Sequence, residues 1–229
     1  MAKKKKIKRK ELLNKPDEFI TFSSKLFEFA STHHMQIFFG FIICIVVIVS
    51  AAGIRYYSSK AEKQASDLLA VMMAKYEFIK NKSGSDIAYR AVEKEAELLL
   101  NELSTRKSGK LARVFYADIC YNAGEIDKAI EHYLKALRYF KDTSGVKYFI
   151  LSGLGFCYEA KNDLKTAIKY FQMIAEGPDN VSKCEALYHL GTIYAETGDI
   201  EKSQEAFKRV LSDYGDSIYA DLVAERMDS

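Results

Sequence analysis

The stretch LGTIYAETGDIEKSQEAF, residues 190–207, has the spacing of two short helices joined by a tight turn. A tyrosine follows the Leu-Gly pair at helical spacing, a Gly-Asp turn comes next, and a phenylalanine closes the second helix. Gly198 is typical of a position that ends a helix in the left-handed conformation. The stretch therefore predicts a helical hairpin, and further copies would indicate a repeat architecture.

Two further copies of the pattern lie upstream. With Gly198 as position 15 of a repeat of about 34 residues, the repeats begin at residues 110, 148 and 184. Small residues at positions 8 and 20 let two antiparallel helices approach closely, and an aromatic ring at position 24 fills the space between them. Positions 8, 15 and 24 hold, in chain order, Ala117, Gly124 and Tyr133, then Gly155, Asn162 and Phe171, then Gly191, Gly198 and Phe207.

These positions resemble the tetratricopeptide repeat, whose signature has Leu-Gly, Tyr, Ala, an aromatic residue and Pro at matching places. The resemblance implies an all-α fold, an α-solenoid of stacked helical hairpins. The chain departs from the signature at position 4 of the first repeat, which is Arg113, and at position 20 of the last, which is Ser203. These departures affect fine geometry and leave the expected fold unchanged.

Helical patterns also flank the three repeats. Residues 61–80 and 87–104 predict two helices around the turn signal NKSGSD, and residues 217–227 predict a helix that covers the last open face. The expected segments are a basic tail with an amphipathic helix at 1–34, a transmembrane helix at 35–54, a juxtamembrane helix and degenerate first hairpin at 55–109, three repeats at 110–216 and a capping helix at 217–229.

One apolar run lies near the N-terminus. The stretch MQIFFGFIICIVVIVSAAGI, residues 35–54, contains no charge and is followed by Arg55, Tyr56 and Tyr57, which suit a membrane interface. At a rise of about 1.5 Å per residue, the run spans a hydrocarbon core of about 30 Å. It predicts a single-pass transmembrane helix. A cleaved signal peptide is the alternative, disfavoured by the length of the run and of the segment before it.

Charge is distributed unevenly along the chain. Residues 1–34 carry nine Lys and Arg against four Asp and Glu, whereas residues 55–229 carry 25 basic and 27 acidic residues. By the positive-inside rule, the N-terminus stays cytoplasmic and the repeats are translocated across the membrane. The balance of charge after the span disfavours nucleic-acid binding.

The segment before the span is amphipathic. Phe19, Phe22, Leu26 and Phe29 share one face of a helix, and Pro16 suits its first turn. We expect a short helix on the cytoplasmic leaflet of the membrane. Packing against a partner protein is an alternative that the sequence leaves open.

The sequence contains no motif of a catalytic, metal or cofactor site. The patterns GxSxG, HExxH, GxGxxG and the P-loop are absent. Cys44, Cys120, Cys157 and Cys184 have neither CxxC spacing nor histidine clusters nearby, which predicts free thiols. We therefore expect no enzyme activity, no metal, no cofactor and no small-molecule substrate.

In tetratricopeptide proteins, positions 2, 5, 9, 12 and 13 of each first helix line a concave groove, so the resemblance implies a protein-binding site. Aromatic side chains with a few carboxylates suit a peptide or a helix. No Lys stands at positions 5, 9 or 12, which argues against a clamp for a terminal carboxylate. The predicted groove residues are Val114, Asp118, Tyr121, Asn122, Phe149, Ser152, Phe156, Glu159, Tyr188 and Thr192, and the same positions also hold Leu111, Ala160, Glu185, Ala195 and Glu196.

The whole layout resembles the bacterial single-pass tetratricopeptide proteins that are ancillary to the Sec translocon. The resemblance implies a periplasmic scaffold anchored in the bacterial inner membrane. Its implied partners are translocon components, periplasmic chaperones or secreted chains. A second hypothesis is a scaffold that coordinates assembly of the cell envelope or cell division. The sequence leaves open the identity of the partner and the oligomeric state.

Overall fold

The computed structural model describes residues 18–178 and 182–227, and the regular structure in these ranges is helical throughout, which confirms the predicted all-α class. The Lys-rich part of the predicted basic tail lies outside the described residues. The helices are α1 (Glu18–Thr32), α2 (His34–Ser83), α3 (Ser85–Asn101), α4 (Lys107–Asn122), α5 (Ile126–Phe140), α6 (Ser144–Ala160), α7 (Leu164–Ala175), α8 (Lys183–Glu196), α9 (Ile200–Asp213) and α10 (Ile218–Met227).

The chain divides into two compact units, residues 1–59 and residues 60–229. In the described part of the first unit, Phe22, Leu26 and Phe29 of α1 are exposed, and so is Phe27, which lies off the predicted apolar face. Pro16 and the side chain of Phe19 lie outside the described part of the chain. Among the described helices, α2 alone is long and apolar enough to cross a membrane, by length and composition, and none of its apolar window is buried.

The second unit is a stack of helical hairpins. Helices α4 and α5, α6 and α7, and α8 and α9 pack as antiparallel pairs, and each pair also packs against the next. Helix α3 packs against α4 at one end of the stack, and α10 packs against α8 and α9 at the other. The core consists of two clusters of buried side chains, one drawn from α2 to α6 and one from α6 to α10.

The turns inside the three hairpins share one backbone geometry. Gly124, Asn162 and Gly198 have φ angles of 81°, 59° and 81°, so all three adopt the left-handed conformation expected at position 15. In each turn, the amide of the following residue donates to the carbonyl oxygen five residues earlier, at 2.8–2.9 Å. This hydrogen bond is that of a Schellman motif, which satisfies a carbonyl group at the helix end.

The small residues at position 8 lie directly beneath aromatic rings. A Cβ atom added to Gly155 would lie 2.6 Å from Cζ of Phe171, and one added to Gly191 would lie 2.5 Å from Cε1 of Phe207. Neither glycine can therefore carry a side chain unless a ring moves. In the second and third repeats, the ring at position 24 therefore packs directly against the glycine at position 8.

The two departures from the signature are each satisfied by a hydrogen bond. Ser203 is buried, and its Oγ donates to the carbonyl oxygen of Gly191 at 2.8 Å. Arg113 donates from Nη2 to the carbonyl oxygen of Leu100 at 3.1 Å. Burial of a polar group without a hydrogen bond costs free energy. The hydrogen bonds of Ser203 and Arg113 reduce that cost at these two positions.

A carboxylate distant in sequence caps helix α4. Arg106, at the N-cap position, provides no side-chain acceptor. Instead, the two oxygens of Glu62 accept from the amides of Lys107 and Ser108 at 2.8 Å each, and Oε1 also accepts from Oγ of Ser108 at 2.8 Å. Burial acts to raise the pKa of Glu62, but the hydrogen bonds from Ser108 and Lys107 outweigh it and lower that pKa.

Candidate functional site

A pocket of about 540 Å³ opens between the first helices of successive repeats, in the region where the sequence predicts a binding groove. We call it the groove pocket. Its lining comes from α4 and α6, with one residue from α5, one from the first turn of α8 and the residue that precedes α8. The lining residues are Asp118, Tyr121, Asn122, Tyr133, Gly145, Phe149, Ser152, Gly153, Phe156, Ser182 and Glu185.

Six of the ten predicted groove residues meet in this pocket. They supply three aromatic rings, one carboxylate, one amide and one hydroxyl: Tyr121, Phe149, Phe156, Asp118, Asn122 and Ser152. Phe149 is 46% exposed and Asn122 is also exposed, whereas Ser152 is only 8% exposed. The repeat register therefore brings a contiguous set of side chains to one opening.

The remaining four predicted residues lie elsewhere. Val114 is 2% exposed and belongs to the core cluster that includes α2 and α3, so position 5 of the first repeat is covered by the preceding helices. Glu159, Tyr188 and Thr192 are half-buried and lie outside the groove pocket. Val114 is a core residue and not a surface residue, which corrects its assignment to the groove.

Sequence reasoning missed four residues that line the pocket: Tyr133, Gly145, Gly153 and Ser182. A Cβ atom added to Gly153 would lie 2.3 Å from Cζ of Tyr133, so the glycine lets this ring from the preceding repeat approach α6. Position 24 is assigned to the interior of a hairpin, and Tyr133 is indeed 1% exposed. The signal that could have found the contact is the second glycine, two residues before Gly155, in the sequence SGLG.

Aromatic rings continue from the pocket toward the C-terminal end of the repeats. Ring centroids are 6.5 Å apart for Tyr121 and Phe156, 4.8 Å for Phe156 and His189, and 5.5 Å for His189 and Tyr188. Tyr219 of α10 follows at 5.3 Å from Tyr188. We call these five side chains the aromatic row. It connects α4, α6, α8 and α10 through contacts between neighbouring rings.

Carboxylates accompany the aromatic row. Burial raises the pKa of Asp118, which Lys80 and a hydrogen bond from Asn122 oppose. Burial, and then Glu196, raises the pKa of Glu159. In the part of the chain that the structure describes, Oε2 of Glu159 has no hydrogen-bond partner and lies 3.6 Å from Nδ1 of His189.

The described residues contain no cluster of three or more His, Cys, Asp or Glu side chains that could hold a metal ion. The four cysteines are free, and Cys120, Cys157 and Cys184 are buried as small apolar side chains. Burial raises the pKa of the Cys120 and Cys157 thiols to about 12, which keeps them protonated and unreactive at neutral pH.

Solved structures share the fold, and one of them gives the scale of the similarity. The crystal structure of BtubC (BKLC) from P. vanneervenii superimposes with a TM-score of 0.50 at 16% identity, over 69% of this chain and 70% of that chain. At this identity the similarity shows the fold alone. No curated protein sequence matches the chain.

A protein-family model covers most of the chain. The model described as a tetratricopeptide repeat-like domain matches residues 28–229, a range that includes the apolar part of α2, the first hairpin and all three repeats. The match agrees with the left-handed turns at position 15 and with the glycine-under-ring contacts. The chain therefore belongs to the tetratricopeptide repeat-like domain family.

Proposed function

We propose that this protein is a membrane-anchored scaffold that binds other proteins through the groove pocket and the aromatic row. The observation that carries the proposal is a pocket of about 540 Å³ lined by aromatic side chains, among them the exposed ring of Phe149. Exposed aromatic rings beside polar groups are the composition of protein-binding surfaces. The fold of the family is typically that of a non-catalytic scaffold.

The apolar segment of α2 anchors this scaffold in the bacterial inner membrane as a single pass. Its side chains are exposed in the described structure, as a lipid-facing helix requires. The seven Lys and Arg among the first ten residues favour an N-terminus in the cytoplasm, so the repeats face the periplasm. Fusion of a reporter that is active only in the periplasm to the C-terminus tests this orientation, and an inactive reporter would overturn it.

The partners proposed from the overall layout are Sec translocon components, periplasmic chaperones and secreted chains. The test is mild-detergent affinity purification of the tagged full-length protein from native membranes, followed by mass spectrometry. We expect these classes to be recovered above the level of an unrelated single-pass protein. Recovery of wall-synthesis or division proteins instead would favour the function of a cell-envelope assembly scaffold.

The same purification with Phe156→Ala plus Tyr188→Ala tests the groove. Both substitutions remove rings of the aromatic row, so specific partners should be lost. The matched control is Phe78→Ala plus Met173→Ala, which truncates two side chains that are 71% and 47% exposed and lie outside the groove. Unchanged recovery by the groove variant, with an intact helical spectrum, would show that partners bind elsewhere.

A further inference from the structure

The groove pocket is acidic. Asp118 and Glu185 line it, and none of the other described residues in its lining is a lysine or an arginine. The acidic character continues along the aromatic row, where Glu159 lies beside His189 and Tyr219 donates to Oε1 of Glu185 at 2.9 Å. A polypeptide that enters this groove therefore meets negative charge at several points.

Among the described residues, Asn122 donates the side-chain hydrogen bond to the carboxylate of Asp118, and Lys80 acts on that carboxylate through its charge without a hydrogen bond. Asn122 donates from Nδ2 to Oδ2 of Asp118 at 3.1 Å and to its carbonyl oxygen at 2.9 Å. The side chain is half-buried, so part of its hydration is lost in the folded protein. A cationic group placed against this carboxylate would recover that loss through a charge-assisted hydrogen bond.

The rings of the pocket complement the carboxylates. Tyr121, Phe149 and Phe156 present aromatic surface within the same opening as Asp118 and Glu185. Aromatic faces attract cations, and they also cover the methylene groups of arginine and lysine side chains. The volume of about 540 Å³ falls in the range of about 300–1,000 Å³ found for small-ligand sites, which is ample for one long side chain.

We infer that the groove pocket binds a basic side chain, arginine or lysine, carried between apolar residues on a partner polypeptide. The inference rests on the proposed function, since it assigns the chemistry of the segment that the groove takes. The guanidinium or ammonium group lies against Asp118 and Glu185, and the flanking apolar side chains contact the aromatic row. An acidic segment is repelled by the same two carboxylates.

The test uses the full-length protein in a neutral detergent and three labelled heptapeptides, acetylated and amidated at their ends. The first is Ser-Gly-Phe-Arg-Phe-Gly-Ser, and the others replace arginine by citrulline, its neutral isostere, or by glutamate. We expect fluorescence anisotropy to show at least about tenfold tighter binding of the arginine peptide than of the citrulline peptide, and no binding of the glutamate peptide. The preference should weaken as salt is raised.

The variant Asp118→Asn plus Glu185→Gln should reduce the preference for arginine over citrulline to about twofold or less, because both replacements keep their shapes but lose their charges. Asn122 and Tyr219 retain their acceptors in this variant, so folding is not expected to change. The matched control is Asp142→Asn plus Glu201→Gln, which makes the same change in net charge at two exposed positions outside the groove.

Several outcomes would overturn the inference. If the arginine and citrulline peptides bind equally and Phe156→Ala abolishes the binding of both, the groove is a protein-binding site without preference for charge. The proposed function would then hold, and the inference of a basic side chain would fail. An unchanged preference in Asp118→Asn plus Glu185→Gln, or the same loss in the control variant, would place the cation elsewhere. Absence of binding of the arginine peptide up to about 1 mM would also reject it.

Discussion

Helix α6 has two faces that are built differently. Toward α7, Gly155 lies beneath the ring of Phe171, and Leu151 is fully buried in the same core cluster as that ring. Toward the groove, Phe149 is 46% exposed and Phe156 is half-buried beside polar groups. The face toward α7 is constrained by the volumes of its side chains, which must fit between the two helices for the hairpin to pack. The face toward the groove is partly in contact with water, so its side chains can differ in charge between proteins without loss of the fold.

Loss of a phenylalanine ring from each face should give the largest contrast. Phe171→Ala removes a fully buried ring and should lower the free energy of unfolding by about 3–5 kcal/mol. Phe149→Ala removes a ring of the same size that is partly in water, and should cost about 1 kcal/mol or less. Urea denaturation of the full-length protein in detergent, followed by circular dichroism, measures both. Equal losses would show that the two faces are not distinct.

An added methyl group tests the packing face more finely. Gly155→Ala places Cβ against the ring of Phe171 and should cost about 1–3 kcal/mol. The loss should be smaller in a Phe171→Leu background, because the ring that the methyl group meets is gone. Gly145→Ala is the matched control, since a Cβ atom there has no neighbour within 4 Å. If Gly155→Ala proves as mild as the control, the close approach is not a constraint.

The first repeat contains a half-buried histidine, His132, so its packing should make stability depend on pH. Burial, aided by Arg113, lowers the pKa of His132 to about 4, while Glu131 acts to raise it. The unfolded chain, with a histidine pKa of about 6.5, then binds the proton more readily, so stability falls from about pH 6.5 down to about pH 4 and levels off below.

We expect a loss of about 1 kcal/mol from this group, after a discount for solvent screening. His132→Gln should make the dependence of the urea midpoint on pH shallower between pH 7 and pH 5. A midpoint that depends on pH equally in both proteins would assign the effect to other groups.

The turn after α6 should show the smallest effect. Asn162 occupies the left-handed conformation at φ 59°, where glycine has no steric cost. Asn162→Gly should therefore raise the free energy of unfolding by about 0.5 kcal/mol, and Asn162→Ala should lower it by about 1 kcal/mol. Thermal unfolding of the two variants side by side measures the difference. The opposite order would mean that the Asn162 side chain stabilises the turn more than its conformation costs.

The sequence predicts the packing face well and the groove in part. The residues at positions 8, 15 and 24 follow from local spacing, so Gly155, Phe171 and Asn162 are found where the repeat register places them. The groove depends on neighbours that the register does not contain. Val114 occupies a groove position but is buried by helices outside the repeats, and Tyr133 occupies an interior position but reaches the pocket past a glycine.

The cap on helix α4 also could not be predicted from the spacing of residues in the sequence. Glu62 and the amides that it accepts from are 45 and 46 residues apart, and nothing in the local sequence of either partner indicates the other. A contact of this range depends on how α2 and α4 come together in the folded stack. The charge pattern of α2 alone makes Glu62 look like one more residue of a solvated face.

The contact made by Glu62 also decides how the repeats can be transplanted. The repeats do not form a complete folding unit when the chain starts at residue 110, where the repeat signature begins. A graft joined at residue 110 would leave out α2 and α3, which contribute Met72, Tyr76 and Leu99 to the first core cluster. It would also lose the carboxylate of Glu62, which caps α4. A graft joined at residue 60 would keep all of them. Exchange of the segment before residue 60 should therefore be tolerated, whereas exchange of residues 60–83 of α2 should destabilise the stack.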